Sequence, residues 1–183
     1  MILYFLKFLW ELIFILLKNF NIVIMVGNIK QKVVFIGKGG VGKSTILSLM
    51  QGKEISERRD PTIGVAIEQV KLNNSEKITI WDMGGQERFQ FMWEDFVKGA
   101  GLTVLITDST EENVNFTKGF YERFSRFKGS KVIAIANKQD LPGAINIQNV
   151  ANRLGIKTYG MCAIDLAKRK EVQAILRQEI SEI

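Results

Sequence analysis

A glycine-rich stretch holds the residues of this sequence that are best suited to chemistry. Gly37, Gly42, Lys43 and Ser44 fit the pattern G-x-x-x-x-G-K-[ST], which is typical of a phosphate-binding loop. In such a loop backbone N–H groups surround the phosphates, the lysine reaches the β- and γ-phosphates, and the serine hydroxyl is a ligand of Mg²⁺. The pattern predicts a nucleotide site, and other residues must decide which nucleotide it binds.

A second motif, "WDMGGQERF", follows a strand-like alternating stretch. Asp82, at the predicted strand end, is suited to hold Mg²⁺, usually through water. Gly85 has no side chain and can bring its N–H to a γ-phosphate, while Gln86 can orient an attacking water. Thr62, in the preceding "PTIG", offers a second hydroxyl ligand for Mg²⁺ when a γ-phosphate is present. These residue types predict hydrolysis of a nucleoside triphosphate.

The tetrapeptide "NKQD", at 137–140, indicates which base is bound. The Asp140 carboxylate can accept two hydrogen bonds from guanine N1–H and N2–H₂, a donor pair that adenine lacks. A mismatched base would leave a buried charge unpaired, so discrimination should be strong. Asn137 would tie segments together, and the stem of Lys138 would pack over the base.

The elements that must position these residues are predicted from periodicity and from glycine stop signals. The predicted strands cover 33–36, 65–72, 77–83, 102–108, 131–138 and 157–163, and the predicted helices cover 44–50, 113–127, 146–155 and 168–180. Strands that alternate with helices indicate an α/β fold with a mainly parallel sheet covered on both faces.

Composition limits the classes of function. The 183 residues suffice for one compact domain, and the net charge of +6 suits an anionic ligand or membrane surface. No basic stripe interleaved with aromatics favours nucleic acid, so none is expected as a partner. The absence of histidine excludes histidine catalysis and histidine metal sites. A single cysteine, Cys162, fits a reducing compartment.

In combination, the order GKGGVGKST, PTIG, WDMGGQERF, NKQDLP and CA resembles the small Ras-like GTPases over residues 33–183. "PTIGVAIEQV", "WDMGGQ" and "NKQDLP" look most like the Arf/Arl branch, whereas "GQERF" and "GKGGVGKS" look more like Ras and Rab. The resemblance implies a P-loop GTPase fold with a six-stranded, mainly parallel sheet, one antiparallel edge strand and helices on both faces. It also implies GTP or GDP and Mg²⁺ as ligands.

The resemblance implies a role for each matching residue. Phosphate-wrapping residues would be Gly39, Gly40, Val41, Gly42, Lys43, Ser44 and Thr45. Ser44 and Thr62 would bind Mg²⁺, and Gly85 and Gln86 would sense and hydrolyse the γ-phosphate. Guanine would be read by Asn137, Lys138 and Asp140, with the Cys162–Ala163 backbone beside its O6.

One alternative concerns ATP. The stretch "KGGVGKS", beginning at Lys38, also resembles the loop of the MinD/ParA ATPases, where that lysine would reach the phosphates of a dimer partner. Those ATPases are usually longer than residues 33–183, and nothing in them requires NKQD after a buried strand. GTP is therefore the predicted nucleotide, and Lys38 becomes a tolerated loop residue.

Hydrolysis in this class needs a positioned water and a cation on the transferring phosphoryl group. Gln86 can supply the first, and a partner's arginine usually supplies the second. Arg59 lies at the offset from Thr62 where Gα subunits carry an intrinsic arginine, although a solvated loop residue is the favoured interpretation. A slow molecular switch with an exchange factor, an activator and effectors is predicted, and a low-turnover membrane scaffold is the alternative.

The first 26 residues differ from the rest of the chain, because 21 of them are apolar or aromatic. We predict a membrane-associating helix at 1–26, a linker at 27–32 and the GTPase domain at 33–183. Lys7, Glu11 and Lys18 fall within an arc of about 40° on a helix, which favours a helix lying in the membrane interface. A spanning helix, or docking on the domain with GDP, remains open. The expected location is the cytoplasmic face of a membrane.

Overall fold

The computed structural model describes residues 32–55, 60–124 and 130–183, with the side chain of residue 124 excepted. The predicted helix at 1–26, residues 27–31 of the linker and Arg59 lie outside these ranges. The strands are β1 (Lys32–Ile36), β2 (Val65–Lys71), β3 (Lys77–Met83), β4 (Leu102–Thr107), β5 (Lys131–Ala136) and β6 (Thr158–Gly160). The α-helices are α1 (Lys43–Gln51), α2 (Trp93–Val97), α3 (Glu111–Phe124), α4 (Ile147–Leu154) and α5 (Arg169–Ser181).

The six strands form one sheet in the order β2-β3-β1-β4-β5-β6. Only the pairing of β2 with β3 is antiparallel, and the other pairs are parallel. This confirms the predicted mainly parallel sheet with one antiparallel edge strand. Every residue of β4 is buried, as expected for a central parallel strand with helices on both faces.

Two apolar clusters fill the space between the sheet and its helices. Side chains alternate along β1, so that Val33 and Phe35 face the cluster under α1 and α5, whereas Val34 and Ile36 face the cluster under α2, α3 and α4. This alternation follows from the two-residue period of a strand. The sheet is therefore held from both sides, and the loops at its carboxyl edge extend from a fixed base.

Predicted boundaries agree with the structure to within a few residues. β1 begins at Lys32, and α4 ends at Leu154, because the following Gly155 has a φ of 67° and adopts the left-handed turn that stops a helix. α3 begins two residues before the predicted start because the Thr110 hydroxyl accepts a hydrogen bond from the Asn113 N–H and so caps the helix. The last strand is shorter than predicted.

The sequence analysis missed the segment 87–97 and a short 3-10 helix, Leu166–Lys168. Residues 87–92 form a 3-10 helix that continues directly into α2. Trp93 is fully buried there, and its indole N–H donates to the carbonyl of Gly84 at 3.1 Å. The spacing of Phe89, Met92, Trp93 and Phe96 is a helical signal that could have located this element.

A buried carboxylate fixes α5 to the sheet at the end opposite the carboxyl-edge loops. Glu179 is fully buried and lies 2.8 Å from the Lys131 ammonium and 2.6 Å from that of Lys157, and its Oε1 accepts the Tyr159 hydroxyl at 2.5 Å. Burial acts to raise the pKa of Glu179, but the hydrogen bonds from Lys131, Lys157 and Tyr159 together lower it to about 2.

We expect Glu179→Gln to destabilise the full-length protein by about 2 kcal/mol at pH 7, because it leaves two cations without their shared carboxylate. The folded-state pKa lies below its usual value of 4.5, so the stabilisation is present above pH 4.5 and is lost as the pH falls toward 2. Urea unfolding of both proteins as a function of pH should show curves that converge in acid. Glu182→Gln, which removes an exposed partner of Lys131, is the control and should cost less. A constant difference across the pH range would contradict this assignment.

Candidate functional site

The site lies at the carboxyl edge of the sheet, where the loops after β1, β3, β4, β5 and β6 meet. Parallel strands bring these loops to one edge. Thr62 reaches the same edge because β2 runs antiparallel to β3, so that Val65, the first residue of β2, pairs with Met83, the last residue of β3. The Gly84 N–H donates to the Gly64 carbonyl at 2.7 Å and fixes this junction.

The glycine-rich loop connects β1 to α1, which is the strand–loop–helix context that the motif predicts. Lys43 is only 5% exposed, and its ammonium donates to the carbonyls of Gly37 and Lys38, both at 2.9 Å. Burial lowers the pKa of Lys43 to about 8, and the nearby Asp82 charge opposes that shift. The lysine is therefore held inside the loop with its charge directed at the loop interior.

Gly42 is required by its conformation and its surroundings. Its φ is 100°, and a Cβ atom there would lie 2.3 Å from the Nδ2 atom of Asn137. α1 begins at the next residue, so the close approach of the loop to Asn137 and the start of the helix occur together. Val41 is buried below the loop, while Gly39 and Gly40 are exposed and Thr45 is half-buried in the first turn of α1.

Three oxygen-bearing side chains converge beneath this loop. The Ser44 hydroxyl lies 3.1 Å from the Thr62 hydroxyl and donates to Asp82 Oδ2 at 2.5 Å. Asp82 is 1% exposed, and its Oδ1 atom has no hydrogen-bond partner among the described residues. Burial raises the pKa of Asp82, against the hydrogen bond from Ser44. A buried carboxylate with a free oxygen and two hydroxyls is a donor set that fits a hard cation such as Mg²⁺.

The loop after β3 contacts the phosphate loop directly. The Gly39 N–H donates to the Gly85 carbonyl at 2.9 Å, and a Cβ atom on Gly85 would lie 2.4 Å from the Gly39 nitrogen. Only glycine therefore allows this approach. Gln86 follows as a half-buried residue at the start of the 3-10 helix, with its carbonyl accepting the Phe89 N–H. Gln86 is thus placed next to the phosphate loop, as the sequence predicts.

Lys38 has a specific contact that the sequence analysis did not foresee. Its ammonium lies 2.6 Å from Glu112 Oε1 and 5.0 Å from the centre of the Phe116 ring, both on α3. The side chain therefore points to a helix of its own chain. A cavity of about 510 Å³ opens beside it, and its polar lining includes Glu87, Gln90 and Asn113.

Asn137 joins the NKQD segment to two other loops. It is 2% exposed, its Nδ2 donates to the Val41 carbonyl at 2.9 Å, and its Oδ1 accepts the Ala163 N–H at 3.0 Å. The amide thus fixes the phosphate loop and the loop after β6 relative to one another. This confirms the prediction that Asn137 ties segments together.

The remaining predicted site residues lie in the NKQD segment and in the loop after β6. Lys138 has a φ of 59°, and its ammonium lies 3.9 Å from Asp108. Asp140 is exposed, and burial together with a hydrogen bond to Asp140 raises the pKa of the Cys162 thiol. The described contacts therefore link the phosphate loop with Thr62, Asp82 and Gly85 on one side, and with the NKQD segment and the Cys162–Ala163 loop on the other.

Comparisons with known proteins agree with this geometry. These strands, loops and side chains define a P-loop nucleotide-binding protein of the small GTPase class. The profile of the ADP-ribosylation factor family matches residues 17–182. The chain is 31% identical to ADP-ribosylation factor J of Dictyostelium discoideum, over 72% of this chain and 71% of that protein. It is 32% identical to ADP-ribosylation factor-like protein 5 of Caenorhabditis elegans, over 74% of this chain and 82% of that protein.

A solved structure shows the same fold. It is the Arl6 BBS3 small GTPase from Trypanosoma brucei with the bound nucleotide analogue GppNp, which superposes with a TM-score of 0.69 at 18% identity and covers 82% of this chain and 97% of that one. The chain belongs to the ADP-ribosylation factor family, and it is accordingly a small GTPase that binds and hydrolyses GTP. The ATPase alternative is therefore not retained.

We expect Asn137→Ala to weaken GDP binding about 100-fold, because it removes two buried hydrogen bonds that set the distance between the phosphate loop and the loop after β6. Dissociation of a fluorescent GDP analogue from the purified full-length protein measures this loss. Asn152→Ala, an exposed change on α4, is the control and should leave the dissociation rate unchanged. Unchanged GDP dissociation in Asn137→Ala would show that the loops keep their spacing without the amide.

Proposed function

We propose that this protein is a membrane-attached GTP switch that reads guanine through Asp140 and hydrolyses GTP with Gln86. The observation that carries the proposal is the convergence of Ser44, Thr62 and Asp82 beneath the phosphate loop, together with the contact of Gly85 with Gly39. The segments of Thr62 and Gly85 would respond to a γ-phosphate. These contacts connect both segments to the loop that would bind it.

Magnesium binding is supported by the donor set. Ser44 and Thr62 would be direct ligands, and Asp82 would act through water. The free Oδ1 of buried Asp82 is an acceptor that needs a partner. When bound, the ion neutralises charge on the β- and γ-phosphates. The chain's own part is to hold these oxygens close together and to keep Lys43 buried beside them.

The switch follows from which contacts depend on the γ-phosphate. Thr62 and Gly85 lie in loops on either side of the β2–β3 hairpin, and both are hydrogen-bonded to the phosphate loop. GTP would add ligands to both residues, and hydrolysis would remove them. Effectors that recognise the ordered loops would then bind only the GTP form, and an exchange factor would restore it.

Catalysis would rest on positioning rather than on a strong nucleophile. Gln86 is anchored at its backbone by the 3-10 helix, and Trp93 fixes the adjacent Gly84 carbonyl, so the glutamine side chain starts from a fixed point. An activator would supply the cation for the transferring phosphoryl group, so intrinsic turnover should be about 10⁻⁴ to 10⁻³ s⁻¹. A low-turnover membrane scaffold is the alternative, and the presence of Gln86 beside the phosphate loop favours the switch.

Attachment to the cytoplasmic face of a membrane is proposed from residues 1–26. The family profile begins at residue 17, within this apolar segment. Among the residues that the structure describes, none belongs to a helix that is long and apolar enough to cross a bilayer. The polar stripe of Lys7, Glu11 and Lys18 supports a helix that lies in the interface with this stripe toward water. The net charge of +6 would add attraction to anionic lipids.

We expect Asp140→Asn to lower GDP affinity at least about 100-fold and to shift preference toward xanthine nucleotides, whose 2-oxo group can accept from an amide. Competition between GDP, XDP and ADP for a fluorescent nucleotide measures the preference. Asp95→Asn, an exposed carboxylate on α2, is the matched control. Comparable affinity of the wild-type protein for ADP and GDP would contradict guanine reading by Asp140.

We expect Gln86→Leu to keep nucleotide affinity and to slow hydrolysis about tenfold or more, because the phosphate loop is intact but water loses its orienting group. Single-turnover hydrolysis of GTP, with and without a candidate activator, is the measurement. Gln90→Leu, in the 3-10 helix that follows Gln86, is the control. Hydrolysis by Gln86→Leu at the wild-type rate would mean that another residue positions the water, and no activation of the wild type would favour the scaffold.

We expect the full-length protein to float with anionic liposomes more strongly with a non-hydrolysable GTP analogue than with GDP. Leu9 lies opposite the polar stripe, so Leu9→Glu should abolish flotation, whereas Glu11→Gln, within the stripe, should not. Equal flotation in both nucleotide states with resistance to carbonate extraction would instead indicate a permanent spanning anchor. The GTPase domain would then still lie on the cytoplasmic side, because Lys30 and Lys32 follow the segment.

A further inference from the structure

Two strained residues meet at one junction of the site. Among the described residues, Ser109 (φ 64°) and Lys138 (φ 59°) are the non-glycine residues with a left-handed backbone. They lie just beyond the ends of the neighbouring strands β4 and β5. A serine in this conformation is uncommon and costs free energy, so it persists only where the surroundings fix it. The question is what the Ser109 conformation achieves.

The hydroxyl of Ser109 connects two residues of the NKQD segment. Ser109 is fully buried, and its Oγ atom donates to the Asn137 carbonyl at 2.7 Å and accepts from Gln139 Nε2 at 2.7 Å. These two partners flank Lys138 in the chain. One hydroxyl therefore sets the turn on both sides of the left-handed lysine, with one donor and one acceptor in use.

Gln139 is held at two further points. Its Nε2 also donates to the Ile145 carbonyl at 3.1 Å, and its backbone N–H donates to the Met161 carbonyl at 3.1 Å. The Ile145 N–H in turn donates to the Ser109 carbonyl at 2.9 Å. The glutamine side chain thus points into the protein, whereas the next residue, Asp140, is exposed.

We propose that Ser109 and Gln139 are positioning residues that set the guanine specificity of the site. Asp140 is exposed, so packing does little to locate its carboxylate, and besides the hydrogen bond with the Cys162 thiol its position comes from the backbone that precedes it. That backbone is fixed by the Ser109 hydroxyl and the Gln139 amide. Neither residue needs to touch the base. The inference rests on the proposed reading of guanine by Asp140.

The test compares GDP with IDP, since inosine lacks the 2-amino group that would donate to Asp140. The ratio of the IDP and GDP dissociation constants therefore reports on the position of the carboxylate. A variant that weakens the binding of both nucleotides by the same factor leaves this ratio unchanged. Competition against a fluorescent nucleotide gives the ratio for the full-length protein. We expect Ser109→Ala and Gln139→Met each to lower the ratio about tenfold, mainly by weakening GDP.

Two further variants separate positioning from simple stability. Ser109→Gly also lacks the hydroxyl but accepts the left-handed backbone, so it should be more stable than Ser109→Ala and equally poor at discrimination. The double variant Ser109→Ala/Gln139→Met should keep an IDP/GDP ratio no lower than that of the less selective single variant. Both residues act through the same turn, so their effects should not add. Val70→Ala, buried at the far end of β2, is the control that lowers thermal stability without changing the ratio.

The outcomes are distinct. A wild-type ratio retained in Ser109→Ala and Gln139→Met would overturn the inference, as would recovery of the ratio in Ser109→Gly, since the hydroxyl would then be dispensable. A wild-type protein that binds GDP and IDP equally would overturn the role of Asp140 itself, and this is visible before any variant is made. A low ratio in Ser109→Ala, Ser109→Gly and Gln139→Met would support the inference, provided that Val70→Ala keeps the wild-type ratio.

Discussion

The buried side-chain amide of Asn137 is the interaction on which the geometry of the site depends. It spans 96 residues of sequence to reach the Val41 carbonyl and also accepts the backbone N–H of Ala163. The loop after β6 is also joined to the NKQD segment by the Gln139 N–H, which donates to the Met161 carbonyl at 3.1 Å. Because the amide is short and both its atoms are used, it fixes the distance between the phosphate end and the base end of the site.

The sheet makes that interaction possible. Parallel strands deliver the ends of β1, β5 and β6 to one edge, and the apolar clusters on both faces hold the strands in register. The loops can then be irregular, since their ends do not move. The β2–β3 pair is the antiparallel exception, and the site requires it. Because β2 begins where β3 ends, Thr62, just before β2, lies at the edge of the sheet that also holds Asp82.

Much of this arrangement could be predicted from the sequence. Buried strands, the phosphate loop and the guanine motif have local patterns, and Gly155 stops a helix by a local rule. Ser109 and Gln139 could not be identified as site residues, because their roles exist only where the ends of β4 and β5 meet, and small polar residues in loops have no periodic signal. Glu112 was missed as a partner of Lys38 because the two residues are 74 positions apart in the chain and only the fold brings them together. The segment 87–97 was missed although its apolar spacing was readable.

The two ends of the site are held in different ways, and this difference accounts for a switch. The base end rests on buried hydrogen bonds between strand ends, through Asn137 and Ser109. The γ-phosphate end rests on the contact of Thr62 with Ser44 and on that of Gly85 with Gly39. Affinity common to GDP and GTP would come from the first end, whereas only the second can differ between them. A nucleotide shifts a conformational equilibrium only by its differential affinity, so a small number of contacts at the second end is enough to reorder the loops while the nucleotide stays bound.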